Sequence, residues 1–250
     1  MEENLIREGE RLDDLEIGGF RLIQSPNAFR FGTDSVLLAH FAAPKKNETV
    51  VDLGCGTGAI ATLMIAHGEN VSVDAVEIQE SIADMARRSA MLNGISDRMR
   101  VICADMREAW RVLGAGKYSR VVCNPPYHKI GAGFASASES AAIARQEGEI
   151  SIGEVALAAA KLLKTGGRFC AVFPAPRAFE LMRAMESASL SPKRIQTVHG
   201  VTGRKPKLVL IDAVKQGGAG LEWLEPLILQ NEDGSPTAQW NAIYQIMKTY

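Results

Sequence analysis

The sequence predicts one α/β domain: a doubly wound, mostly parallel sheet of seven strands, whose C-terminal strand turns back as an antiparallel hairpin partner. Three observations carry this. Strand-like and helix-like segments alternate through the middle of the chain, and alternation of that kind places helices on both faces of a parallel sheet. The last two strand-like runs are joined only by Gly200 to Lys207, with no room for a crossover helix, so they should pair antiparallel. Of the 250 residues, 46% are hydrophobic and 23% charged, so a core can offset the entropy of ordering the chain.

Each element has its own signal. Thr49-Val-Val-Asp-Leu53 is a β-branched run that ends in glycines. Ile60 to His67 is apolar and favours helix. Val71 to Glu77 alternates with period two before turning mostly apolar. Between Glu80 and Asn93 the residues Ile82, Met85, Ala86, Ser89 and Leu92 recur every three or four positions, and Asn93-Gly94 stops the helix. Arg100 to Cys103 and Arg120 to Cys123 are short strands. Ile152 to Leu163 reads as helix closed by Gly166-Gly167. Arg168 to Phe173 is a strand stopped by Pro174, and Phe179 to Ala188 is a helix. Arg194 to Val198 and Leu208 to Val214 complete the seven strands. Residues 1–48 form an extension with a capping helix, 49–214 the sheet core, and 215–250 a tail, all in a single domain.

Several classes are excluded. No apolar run approaches the ~18 residues of a membrane span. The acidic start, Met1-Glu-Glu-Asn-Leu-Ile-Arg-Glu-Gly-Glu10, lacks a signal-peptide core, so a cytoplasmic protein is expected. Cys55, Cys103, Cys123 and Cys170 form no C-x-x-C pair and read as buried, reduced thiols with no metal. Oligomeric state leaves no signal. The formal charge of −1 hides an asymmetry: from Val155 to Ile211 there are ten basic residues and two acids, a net +8, which leaves −9 elsewhere. A basic face suits a polyanion, provided the linear clustering survives folding.

Two motifs carry chemistry. Asp52-Leu53-Gly54-Cys55-Gly56-Thr57-Gly58 ends the first strand, where glycines let the backbone turn sharply and approach a ligand. Glu77 ends the next strand, 19 residues after Gly58, placed to accept from a ribose diol. Because Gly54-x-Gly56-x-x-Ala59 also satisfies the loose dinucleotide pattern, NAD stays open at this point. Asp105 could accept from an adenine amine while Met106 offers its amide; Asp105 also suits a helix N-cap. Then Asn124-Pro125-Pro126-Tyr127 follows the fourth strand. Two prolines fix the backbone and remove donors, so carbonyls can point at a ligand. Asn124 adds an acceptor through Oδ1, and Tyr127 a flat face for stacking. Together they cradle an –NH2 group attached to a π system.

With these residues in place, the chain resembles the class I S-adenosylmethionine-dependent N-methyltransferases with an N-P-P-Y motif, whose sheet is Rossmann-like. The resemblance runs from about Thr33 to Val214. It implies S-adenosylmethionine as cofactor and disfavours NAD. It implies that Asp52, Gly54, Cys55, Gly56 and Gly58 border the methionine part. Glu77 and Ile78 would take the ribose, Asp105 and Met106 the adenine, and Asn124 with Pro125 the target nitrogen, Asn124 also bordering the cofactor. Accepting both N–H bonds of a conjugated amine favours a tetrahedral nitrogen with a localised lone pair, so positioning and dipoles carry the rate without a metal.

The substrate is narrowed by three further segments. Phe29-Arg-Phe-Gly-Thr-Asp-Ser-Val-Leu-Leu-Ala39 is similar to a segment of the bacterial tRNA1(Val) adenine-37-N6 methyltransferases, which implies that Thr33 and Asp34 border the cofactor; plain helix capping is the structural alternative. Arg145 matches an Arg that the family carries after N-P-P-Y, and Gly203-Arg204-Lys205-Pro206-Lys207 resembles its Arg-x-Pro loop. Ser235-Pro-Thr-Ala238 departs from the Tyr-Ser/Thr-acid segment that often precedes the family's final helix. Nucleic acid, tRNA foremost, is therefore the expected partner, met by Lys129, Arg145, Arg204, Lys205 and Lys207. A flipped base would stack on Tyr127; His128 reads as an exposed loop residue. Alternatives are a protein glutamine N5-methyltransferase, another rRNA or DNA amino-methyltransferase, and a non-catalytic RNA- or cofactor-binding module.

Overall fold

The computed structural model describes residues 5–25, 32–125 and 150–248. Two short strands, β1 (Arg11–Asp14) and β2 (Arg21–Gln24), form an antiparallel hairpin, followed by helix α1 (Thr33–Ala42). The sheet core then alternates as expected: β3 (Thr49–Leu53), α2 (Ala59–His67), β4 (Ser72–Glu77), α3 (Glu80–Leu92), β5 (Met99–Cys103), α4 (Ala109–Leu113) and β6 (Tyr118–Cys123). After α5 (Ile152–Leu162) come β7 (Leu163–Pro174), α6 (Ala178–Ser187), β8 (Leu190–Val201) and β9 (Leu208–Lys215). The tail adds β10 (Glu222–Trp223), β11 (Leu227–Gln230) and α7 (Ala238–Lys248).

The strand order is β10-β8-β9-β7-β6-β3-β4-β5, with β11 also on β8. Among the described strands of this sheet, β9 alone runs against its neighbours, pairing antiparallel with both β7 and β8. It inserts between them, so the hairpin's returning strand lies inside the sheet and its outgoing strand lies further out. The central strands β3, β4, β6 and β9 bury both faces, as a doubly wound sheet requires, while β10 at the edge is exposed. Val50, Val73, Val122, Val172 and Leu210 face one layer, with α1, α2 and part of α3; Val51, Leu53, Val76, Val121, Phe169 and Ile211 face the other, with α5 and α6.

Four expectations are corrected. Among the described residues the sheet has nine strands rather than seven, because β10 and β11 lie end to end along the outer edge of β8. The tail thereby covers an edge that would otherwise present unpaired backbone groups. The N-terminal extension holds a hairpin as well as the capping helix. It is fastened to α3: Ile23 N donates to Ser89 Oγ at 2.9 Å, Asn93 brackets Arg21, and the buried Arg88 guanidinium meets Glu10 at 2.6 Å. Cys103 is exposed at the end of β5, whereas the other three thiols are buried. Asp105 is not a helix N-cap, since α4 begins only at Ala109 after Glu108. Among the described residues, no helix is long and apolar enough to cross a membrane.

Candidate active site

The parallel strands share one carboxyl end, and the predicted loops gather there. Past Leu53 the chain turns so that the amides of Gly54 and Cys55 both donate to the Val76 carbonyl at 2.9 Å, which ties the loop to β4. Gly54, Gly56 and Gly58 take φ of +72°, +55° and +89°, where a side chain is strained. Gly56 faces open space, with no atom within 4 Å of the position a Cβ would take; at Gly58 a Cβ would lie 2.4 Å from Met99 Cε. A cleft opens between this loop, the start of α2 and the start of α1, lined by Ser35, Gly54, Gly56, Thr57, Ile60 and Asn124. Thr57 Oγ1 accepts from the buried Gln24 Nε2 at 2.9 Å, so the N-terminal hairpin also braces the loop. Ser35, Thr57 and Gln24 were not among the expected site residues. Thr57 stands inside the glycine motif, but nothing in the sequence around Gln24 marks it.

Glu77 closes the base of the loop. Its Oε2 accepts from the Gly56 amide at 3.1 Å and its Oε1 from the Gln79 amide at 2.9 Å, while burial pushes its pKa up. Asp52 lies beneath, 0% exposed. Burial pushes the Asp52 pKa up to about 7; the nearby Ala61 amide offsets part of this, and the Glu77 charge adds to it. The folded protein therefore holds a proton between about pH 4 and pH 7 that the unfolded chain has released. Stability is highest at low pH in this respect and is lost as pH rises through that window. Asp52→Asn should consequently flatten the pH dependence of the cofactor-free protein, by on the order of 2 kcal/mol between pH 5 and pH 7.5. Urea unfolding of both proteins across that range checks it; parallel pH curves would rule it out.

At the next strand end, Asp105 is held by its neighbour. Its Oδ1 accepts from the Arg107 amide at 2.8 Å and its Oδ2 from Arg107 Nε at 2.8 Å, which lowers its pKa. The Met106 side chain reaches across to Gly54, its Cε lying 3.1 Å from where a Cβ would stand. Ile78, directly after Glu77, is an exposed apolar residue.

Asn124 follows β6 and lines the cleft, with Pro125 next to it. Asn124 Nδ2 donates to Asp34 Oδ2 at 3.0 Å, a contact between residues 90 positions apart. Thr33 opens α1 beside Asp34, with Gly32 as the N-cap, so neither Thr33 nor Asp34 is the cap itself. Pro126, Tyr127, His128, Lys129 and Arg145 lie outside the described residues.

The basic stretch is largely absorbed by the fold, which corrects the reading of it as one cationic face. Asp212, directly after the counted stretch and fully buried, accepts from Arg168 at 2.6 Å and Arg194 at 2.7 Å. Arg177 pairs with Glu180 at 2.7 Å, Lys161 lies over the Trp110 ring, and Lys193 donates to the Ala219 carbonyl. Among the described residues of the stretch, Lys164, Arg183, Arg204, Lys205 and Lys207 stay exposed, the last three on the β8–β9 turn. Register places that turn at the same sheet end: Pro174 pairs with Leu208, and the Ala175 amide donates to the Lys207 carbonyl at 3.0 Å. It stands two strands from β6, about 10 Å across the sheet.

These residues fit S-adenosylmethionine. Gly54, Gly56 and Thr57 line the cleft, and Gly56 keeps open the space that a side chain would fill. Comparisons agree. The family described as "Methyltransferase small domain" matches residues 24–188. A tRNA1(Val) (adenine(37)-N6)-methyltransferase of Flavobacteriaceae bacterium (strain 3519-10) is 28% identical over 77% of this chain and 80% of its own. The protein of the same name from Bacteroides fragilis (strain ATCC 25285) is 30% identical over 74% and 76%. In fold, the crystal structure of a predicted O-methyltransferase from Agrobacterium tumefaciens superposes with a TM-score of 0.71 at 23% identity, over 87% of this chain and 98% of that one. With two thirds of its length matched and the glycine loop where such a cofactor needs it, the chain belongs to the methyltransferase small domain family and is an S-adenosylmethionine-dependent methyltransferase.

Proposed function

We propose that the enzyme methylates an exocyclic amino nitrogen of a nucleobase, adenine N6 in tRNA, with position 37 of a valine tRNA as the first candidate. The observation that carries this is Asn124, set with Pro125 at the end of β6 and lining the cleft beside the glycine loop. An amine conjugated to a ring is a poor nucleophile. Acceptors at Asn124 Oδ1 and the Pro125 carbonyl would take its two N–H bonds and favour a nitrogen whose lone pair is localised. S-adenosylmethionine supplies, when bound, a methyl group on an already activated sulfonium. The loop of Gly54, Cys55, Gly56 and Gly58 over Asp52 would hold its methionine end, with Thr33 at the border. Glu77 would use its second lone pairs for the ribose diol beside Ile78, and Met106 would flank the adenine. Asp105, occupied by Arg107, would act there through its loop. No side chain of this chain is needed as a strong base, because the proton can leave to water after transfer.

Support for RNA comes from the two named tRNA methyltransferase relatives and from the exposed cations of the β8–β9 turn. Pro126 and Tyr127, and with them Lys129 and Arg145, are proposed to border the same substrate. A tRNA substrate puts the reaction in the cytoplasm. Arg204→Ala with Lys205→Ala should raise the KM for tRNA roughly tenfold and reduce the salt slope of binding by about 1–2, because phosphate contacts set that slope. Cofactor affinity should not change. An unaltered slope in a titration from low to high salt would remove the turn from the RNA surface.

The reading as a whole is tested by incubating the enzyme and cofactor with tRNA and, in parallel, with release-factor protein. The expected result is N6-methyladenosine in the nucleoside digest by mass spectrometry. Methylglutamine in the protein arm instead would overturn the nucleobase assignment. Cofactor binding without any methylated product would favour a binding module.

A further inference from the structure

We propose that Asp34 is the positioning residue for Asn124: its carboxylate holds the Nδ2 end of the amide and thereby commits the Oδ1 end to the amine that is to be methylated. This rests on the reading of Asn124 as the amine acceptor. An asparagine amide has a donor end and an acceptor end of nearly the same shape, and a half-turn exchanges them. With Nδ2 towards the target, donor would meet donor and the amine would be repelled. A carboxylate offers acceptors only, so the 3.0 Å contact between Asn124 Nδ2 and Asp34 Oδ2 selects one of the two orientations. The negative charge also polarises the amide and makes Oδ1 a stronger acceptor, as chained hydrogen bonds do.

Asp34 is itself held. Its Oδ1 accepts from the Ser35 amide at 3.1 Å in the first turn of α1. Gly32 supplies the room. Its φ of −132° suits any residue, so its glycine is not explained by backbone conformation. A Cβ at that position would stand 2.9 Å from Asp34 Oδ1, the oxygen that the Ser35 amide holds, so the carboxylate would have to shift. Gly32 and Asp34 thus work as one device, and Asp34 acts on the amine acceptor rather than on the cofactor.

The contact is tested first without cofactor. In ¹⁵N-labelled protein, the side-chain amide resonances that vanish in Asn124→Ala identify Asn124. Asp34→Ala and Gly32→Ala should both shift them; unmoved resonances would refute the contact. Single-turnover methylation then tests the role. Asp34→Ala and Gly32→Ala should each lose about tenfold to thirtyfold in rate, with S-adenosylmethionine affinity and melting temperature close to wild type. Asp34→Asn, which can still accept through its own carbonyl, should retain more activity than Asp34→Ala. In an Asn124→Ala background, Asp34→Ala should cost nothing further, because its effect passes through that amide. Losses that multiply, a rate within twofold of wild type for Asp34→Ala, or an equal loss of cofactor affinity would each overturn the proposal. Full turnover by Asn124→Ala alone would instead overturn the reading of Asn124, while the resonance shifts still decide whether Asp34 orients it.

Discussion

Asn124→Ala is expected to cut the methyl-transfer rate by about a thousandfold, close to 4 kcal/mol of transition-state stabilisation, while S-adenosylmethionine affinity stays within about threefold. The asymmetry follows from where the residue stands. Asn124 lines the cleft from the end of β6, whereas Gly54 and Gly56 follow β3 and Glu77 ends β4. An acceptor for the target amine gains its value as the nitrogen becomes pyramidal, so its loss appears in turnover rather than in ground-state binding. The fold should survive, because the side chain is only partly buried and its partner Asp34 keeps the Ser35 amide. Single-turnover kinetics together with calorimetric titration of the cofactor check this. A parallel fall in cofactor affinity would move Asn124 to the cofactor side and remove its catalytic role.

Gly58→Ala should have the largest effect on cofactor binding and stability together. Two costs act at once. The backbone there has φ of +89°, which strains an L side chain by roughly 1–2 kcal/mol. The new methyl would also stand 2.4 Å from Met99 Cε and 3.6 Å from Ala86 Cβ, in a packed layer where Met99 is buried. Overpacking of that kind typically costs about 1–3 kcal/mol. A fall in melting temperature on the order of 5–10 °C is therefore expected, with cofactor affinity down more than tenfold as the loop shifts. Gly166→Ala separates the two costs. Its φ is +76°, yet nothing lies within 4 Å of the added methyl. It should lose only the strain, about 1 kcal/mol, and leave cofactor binding alone. Equal melting temperatures for the two variants would show that the Met99 contact carries no weight.

Much of the site could be read without coordinates because its signals are local. Glycines at 54, 56 and 58 announce a tight loop with positive φ, and period-two runs announce strands whose ends then meet in the sheet. Asn124-Pro125 follows β6 directly, so placing the strand placed the motif. The hairpin of β1 and β2 escaped because each strand is four residues long and mixes charge with apolar side chains, as in Arg11-Leu-Asp-Asp14. The tail strands escaped for a related reason: β10 has two residues, and it is a strand only because β8 offers it an edge.

What the sequence alone determined is the alternation of elements, the glycine loop and the Asn-Pro-Pro-Tyr motif directly after a strand, since each depends on neighbours a few positions apart. Tertiary structure alone decided which charges meet. It placed Asp34 on Asn124, put Gln24 against Thr57, and used Asp212 to absorb Arg168 and Arg194, while Arg204, Lys205 and Lys207 stay exposed on the β8–β9 turn. The reason is range. Periodicity is written along the chain, whereas a hydrogen bond or an ion pair needs two groups within a few ångströms, and for these pairs folding alone brings them together.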